Sequence, residues 1–157
     1  TGAAFKIGAP APSPATAPST AWPPTGRQIA VNEINSEGGD IQFELNYQDD
    51  QNVPETAVNA FNNLKDWGMQ ISLGSVTSQP GVSTSALAFE DRIFTMTPSG
   101  SSPDVISGKD NVYQMCFSDP NQGLASAQYI TEQGLGEKVF IIWKMTMCIP
   151  PALRNSL

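Results

Sequence analysis

Strand-like and helix-like stretches alternate along the chain, and that alternation predicts an α/β fold: a three-layer parallel sheet with helices on both faces. Two further observations support it. The 157 residues suit one ordinary domain with a core of useful size, and no internal repeat divides them.

Phe5-Lys6-Ile7-Gly8 reads as a short buried strand closed by glycine. Ala9 to Thr25 carries no charge and is almost entirely Ala, Pro, Ser and Thr, the composition of a linker or polyproline segment. From Arg27 to Asn35, Ile29, Ala30 and Ile34 keep helical spacing, and Gly38-Gly39 supplies a stop. Ile41, Phe43, Leu45 and Tyr47 then alternate with polar partners at the two-residue period of a strand, which Asp49 and Asp50 close. Pro54 and Glu55 suit a first helical turn, with Ala57, Phe61, Leu64 and Gly68 on one face. Ile71 to Val76 is a strand, and Ser78 can cap a helix running to about Asp91. Ile93 to Met96 is strand-like and empties into Thr97-Pro98-Ser99-Gly100-Ser101-Ser102-Pro103. Val112 to Phe117 is another strand, Asn121 to Gln133 a helix with Leu124, Ala127, Tyr129 and Ile130, and Val139 to Trp143 an apolar run of strand length.

Composition narrows the chemistry. Eight basic against fifteen acidic residues give a formal charge of −7, which repels phosphate backbones and disfavours nucleic acid as a partner. Histidine is absent, so Ser-His-Asp and Cys-His nucleophilic mechanisms and His-ligated metals are excluded. Cys116 and Cys148 lack CxxC spacing and are too few for a disulfide scaffold; neither a metal nor another cofactor is expected. No apolar run approaches the roughly 20 residues of a helical membrane span. Thr1 opens the sequence without a basic, apolar leader, which reads as a processed or trimmed product.

No Walker loop is present, and Gly134-Leu135-Gly136 after a helix reads as a helix stop. Ligands of open α/β sheets sit beyond the carboxyl ends of the strands, so Thr77-Ser78 and Pro98 to Pro103 are the loops to inspect. On their own, Ser78 is an N-cap and the Pro-Ser-Gly-Ser-Ser-Pro run a turn. Adjacent Asp49 and Asp50 are the nearest candidates for an enzymatic carboxylate base, but no nucleophile with an activating partner sits nearby in sequence.

Four stretches carry a resemblance. They are Arg27-Gln28-Ile29-Ala30-Val31-Asn32-Glu33-Ile34-Asn35 with Gly38-Gly39, Leu45-Asn46-Tyr47-Gln48-Asp49-Asp50, the Thr97 to Pro103 phrase, and Phe117-Ser118-Asp119-Pro120-Asn121-Gln122-Gly123. Together, over residues 27 to 144 and in family order, they resemble the extracytoplasmic solute-binding proteins for leucine, isoleucine and valine that serve ABC importers. The resemblance implies the amino-terminal lobe of a type I periplasmic binding fold, one of two α/β lobes that close on a ligand by hinge motion. It implies a small amino-acid ligand, an importer permease in the membrane as partner, an extracytoplasmic location and no catalysis. It also implies three ligand-binding residues. Ser78 matches a serine whose hydroxyl binds the ligand α-carboxylate, where a helix N-terminus favours an anion. Gly100 matches the position whose carbonyl accepts from the ligand ammonium, and Ser101 the hydroxyl that touches both groups. A ligand-sensing regulatory domain of the same fold is the alternative. Thr1-Gly2-Ala3-Ala4 looks like the end of a lipoprotein tether.

The chain departs from this family between Ala9 and Gly26, where the family has Gly-Pro-Leu-Thr-Gly, then Tyr-Gly or Trp-Gly, then Asn-Gly. Of thirteen prolines, Pro10, Pro12, Pro14, Pro18, Pro23 and Pro24 crowd there. If the third base of each codon is taken as the first of a new one, the segment permits Thr-Gly-Pro-Leu-Thr-Gly-Asp-Ser-Ala-Ile-Tyr-Gly-Met-Ala-Ala-Asn-Gly. The same shift of Lys144 to Ala152 permits Asn-Asp-Asp-Val-Tyr-Ser-Thr-Gly, where the family has an Asp and a Tyr-Ser-x-Gly phrase. Both segments therefore read as out-of-frame translations, the second leading to a stop near Leu157, and residues 1–157 as one truncated lobe with a family-like core at 27–144.

Overall fold

The computed structural model describes residues 4–13, 15, 24–136 and 138–140. Five parallel strands form one sheet in the order β2-β1-β3-β4-β5, from β1 (Phe5–Ala11), β2 (Phe43–Asp49), β3 (Ile71–Ser72), β4 (Phe94–Thr97) and β5 (Val112–Gln114). Helices α1 (Pro24–Ser36), α2 (Pro54–Asp66) and α3 (Ser78–Glu90) connect the first four strands, and α4 (Asp119–Glu132) follows β5. A single turn of 3₁₀ helix, Pro103–Val105, lies in a stretch the sequence reads as loop and turn. The chain steps from β1 to β2 in one direction and from β2 to β5 in the other. Right-handed crossovers therefore put α1 on one face and α2 and α3 on the opposite face.

The core lies under α2 and α3. Phe61 and Leu64 of α2 meet Met69, Ala88, Val105 and Val112, all buried. Pro54 occupies the first turn of α2, Glu55 and Lys65 complement its dipole, and Gly68 ends it at φ +95°, donating its N–H to Lys65 O. Gly134, at φ +58°, ends α4 as its sequence position suggests. At Gly8 a Cβ would lie 2.0 Å from Met69 Sδ, which marks how closely α2 and its exit turn approach β1.

The first strand is longer than the sequence implies. It runs through Ala9, Pro10 and Ala11 in register with Tyr47, Gln48 and Asp49, and all three are buried. Prolines in an inner strand demand an explanation. In a parallel strand the N–H and C=O of alternate residues point to opposite neighbours. Lys6 O and Gly8 O accept from Gln70 and Leu73 on the β3 side, whereas Ala11 O accepts from Asp50 on the β2 side. Even-numbered positions thus face β3, whose pairing ends at Gly8 and Ser72. Pro10 falls beyond that point, where no ladder donor is needed. At the other end of the Pro-rich stretch, α1 already starts at Pro24.

Helix α1 turns a different face inward from the expected one. Ile29 and Ile34 are 53% and 45% exposed, while Val31 is buried. Asn35 joins Val31 on the inner side, donating from Nδ2 to Phe43 O and accepting at Oδ1 from Phe43 N. Two backbone groups of β2 outweigh two isoleucines in setting the helix rotation. The α1 face of the sheet carries Phe5, Phe94 and Tyr113, each between 41% and 49% exposed, with Phe5 beside Phe43 and Phe94 stacked on Tyr113. Helix α4 forms where expected but buries only Asp119 and Gly123; Leu124 and Tyr129 face outward. The Val139 to Trp143 run shows no strand at 139–140, and its remainder lies outside the described residues.

Candidate functional site

Both inspected loops lie at the carboxyl ends of β3 and β4 and are tied to each other. Strand β3 pairs only at Ile71–Ser72, so the predicted strand residues Leu73 to Val76 instead lead into the α3 junction. Thr97, fully buried at the end of β4, donates from Oγ1 to Ser75 O at 2.9 Å and accepts there from Gly100 N at 3.0 Å. Ser99 Oγ donates to Val76 O at 2.6 Å. Ser102 N donates to Ser78 Oγ at 3.2 Å.

Ser78 is the first residue of α3, not its cap. Thr77 holds the cap position with extended backbone and makes no side-chain capping bond. The Thr77 hydroxyl instead donates to Asn52 Oδ1 at 2.5 Å, fastening the β2–α2 turn to the junction. The first N–H groups of α3 have no intrahelical acceptor, the arrangement that suits an anion. The half-buried Ser78 hydroxyl stands at that helix end.

Gly100 is buried, and its carbonyl accepts from Gln114 Nε2 at 2.5 Å. Ser101 is half-buried; its carbonyl accepts from Asp119 N at 3.0 Å, and its hydroxyl has no hydrogen-bond partner among the described residues. The structure therefore brings Ser78, Gly100 and Ser101 into one arc through the Ser102–Ser78 bond. Thr97, which seats this arc on β4, and Gln114, which donates to its Gly100 carbonyl, carry no sequence signal: each is a single polar residue in a strand.

Asp49 and Asp50 organise a turn. Asp49 Oδ1 accepts from Ser13 N and Gln51 N, and Asp50 Oδ1 accepts from Asn52 N, each at 2.9 Å. Gln51 and Asn52 adopt φ of 53° and 58° in that turn. Asp50 is fully buried, and burial raises its carboxyl above the usual range although the Asn52 N–H and the Ser75 hydroxyl act the other way. Burial also lowers the pKa of the nearby Arg27 guanidinium, against the pull of Tyr47 and Asp50. Cys116 is a half-buried free thiol, raised by burial, and Cys148 lies outside the described residues. Among the described residues no cluster of acidic and cysteine side chains is placed to hold a metal.

Because the folded chain holds the Asp50 proton more tightly than the unfolded chain, this group favours folding at low pH and loses that contribution as pH rises through its raised pKa. Relative to Asp50→Asn, which cannot titrate, the wild-type melting temperature is expected to decline as pH rises from about 4 towards neutrality. Parallel pH profiles for the two proteins would contradict this.

A family model described as periplasmic binding protein matches residues 6–144. The chain is 31% identical over 120 residues to the Leu/Ile/Val-binding protein BraC3 of Rhizobium johnstonii, covering 74% of this chain and 33% of that protein. Among solved structures it resembles the branched-chain amino acid transporter substrate-binding protein LivJ from Streptococcus pneumoniae, in complex with isoleucine. That match has TM-score 0.72 and 26% identity, covering 83% of this chain and 39% of that one. A substrate-binding protein of an ABC transporter from Desulfitobacterium hafniense, in complex with Leu, matches with TM-score 0.81 and 23% identity over 98% of this chain and 46% of that one. The chain spans about a third of the length of the curated relatives it matches.

Proposed function

The chain belongs to the periplasmic binding protein family, and from that premise we propose that it is the amino-terminal lobe of an extracytoplasmic solute-binding protein. Its ligand is a branched-chain or related amino acid, handed to an ABC importer in the membrane, and it catalyses no reaction. The observation that carries this reading is the arc joining the α3 N-terminus to the Gly100–Ser101 loop. One end offers a hydroxyl and unpaired helical N–H groups to a carboxylate; the other offers a carbonyl and a hydroxyl to an ammonium group. Leucine- and isoleucine-bound relatives of the same fold support the choice of ligand.

Residues 1–157 taken alone supply one lobe of such a two-lobed cleft, so titrated alone they are expected to bind weakly. Titration calorimetry with leucine, isoleucine and valine is expected to give dissociation constants between about 10 μM and 1 mM. Ser78→Ala should weaken binding by about tenfold or more, because a hydrogen bond to a charged group is lost. No heat at millimolar ligand would favour a second reading, a frame-shifted product with no binding function of its own. That reading is supported by the two family phrases which the shifted codons of residues 9–26 and 144–152 permit, and the encoding DNA decides the codon question directly.

A further inference from the structure

We infer that Gln114 is a specificity-determining residue that occupies the ammonium acceptor of the site from within; this rests on the amino-acid reading above. The Gly100 N–H is held by Thr97 Oγ1, which is itself anchored to Ser75 O, and the residues that follow are held as well: Ser101 O accepts from Asp119 N, and Ser102 N donates to Ser78 Oγ. A Cβ at Gly100 would lie 2.8 Å from the same oxygen, so the loop is seated directly on Thr97. The Gly100–Ser101 peptide, which carries the Gly100 carbonyl, thus lies between held groups on both sides, and the amide nitrogen of Gln114, reaching from the end of β5, already donates to that carbonyl. The assignment of nitrogen to this contact follows from chemistry, since a carbonyl only accepts.

A ligand ammonium must share that oxygen with the Gln114 amide or displace it. Two donors on one acceptor crowd their positive hydrogens, so the advantage of carrying an ammonium is smaller than an open carbonyl would give. Among the described residues nothing comparable occupies the carboxylate end, where Ser78 Oγ still has a hydrogen to donate. The inferred consequence is narrowed discrimination: the lobe separates an amino acid from the corresponding amine-free carboxylate less sharply with Gln114 than without it.

The test compares leucine with 4-methylpentanoate, which is leucine without its ammonium, by calorimetry on the full chain. In Gln114→Met, which keeps length and removes the donor, leucine is expected to bind roughly threefold to tenfold more tightly while 4-methylpentanoate changes less than about twofold. Gln114→Glu, which also cannot donate and adds a negative charge, should raise the leucine preference further. An unchanged ratio, or equal weakening of both ligands, would show that Gln114 only braces the loop and would overturn the inference. If neither compound binds the wild-type chain at millimolar concentration, the amino-acid reading falls and this inference falls with it. That outcome is distinct from binding of both with an insensitive ratio.

Discussion

Phe61→Ala is expected to remove about 3–5 kcal/mol of folding free energy, a large share of the roughly 5–15 kcal/mol that stabilises a typical domain. The ring is fully buried in α2 and meets Leu64 and the helix-exit residue Met69, beside Ala88 of α3, Val105 and Val112 of β5. Truncation leaves a cavity that the sheet cannot close, since β1 and β3 are held by backbone pairing. Urea unfolding followed by circular dichroism provides the measurement. A loss below about 1 kcal/mol would mean that α2 is not the main helix packed on the sheet.

Thr97→Val is expected to act on stability and on the site together. Valine keeps the shape and deletes a hydroxyl that bridges Ser75 O and Gly100 N in a buried place. Two backbone groups lose their partner, at about 1–3 kcal/mol each before relaxation, so a net loss of roughly 2–4 kcal/mol is expected. Well below the melting temperature, leucine affinity should also drop by about tenfold, because the loop carrying Gly100 and Ser101 is no longer seated on β4. Thr97→Ser restores the bridge and should recover most of the binding. If valine leaves affinity intact, Thr97 is structural only.

Much of this architecture is legible in the sequence where a local rule has one outcome. Pro54 at a helix start, the glycine stop at Gly134 and a strand through Phe43, Leu45 and Tyr47 each follow from local geometry, and the structure repeats them. Local rules fail where a distant group decides. The rotation of α1 was not readable from Ile29 and Ile34, because Asn35 pairs with the backbone of Phe43. The length of β1 was not readable either, since proline content says nothing about which side of a strand goes unpaired. At the site, the two loops follow from the rule that ligands sit at carboxyl ends of strands, but the partners of their carbonyls do not. Gln114 reaches Gly100 across fourteen positions, and no periodicity marks it.

The alternation of β1 also acts as a filter on mutation. From position 9 onward, a base change that introduces proline at an even position removes an N–H that no strand collects, whereas the same change at Ala9 or Ala11 removes one directed at β2. Pro10 and Pro12, both fully buried, occupy the permitted phase. A proline-rich stretch can thus be accommodated at the carboxyl end of an inner strand without breaking the sheet, provided that its imino acids fall on every second residue.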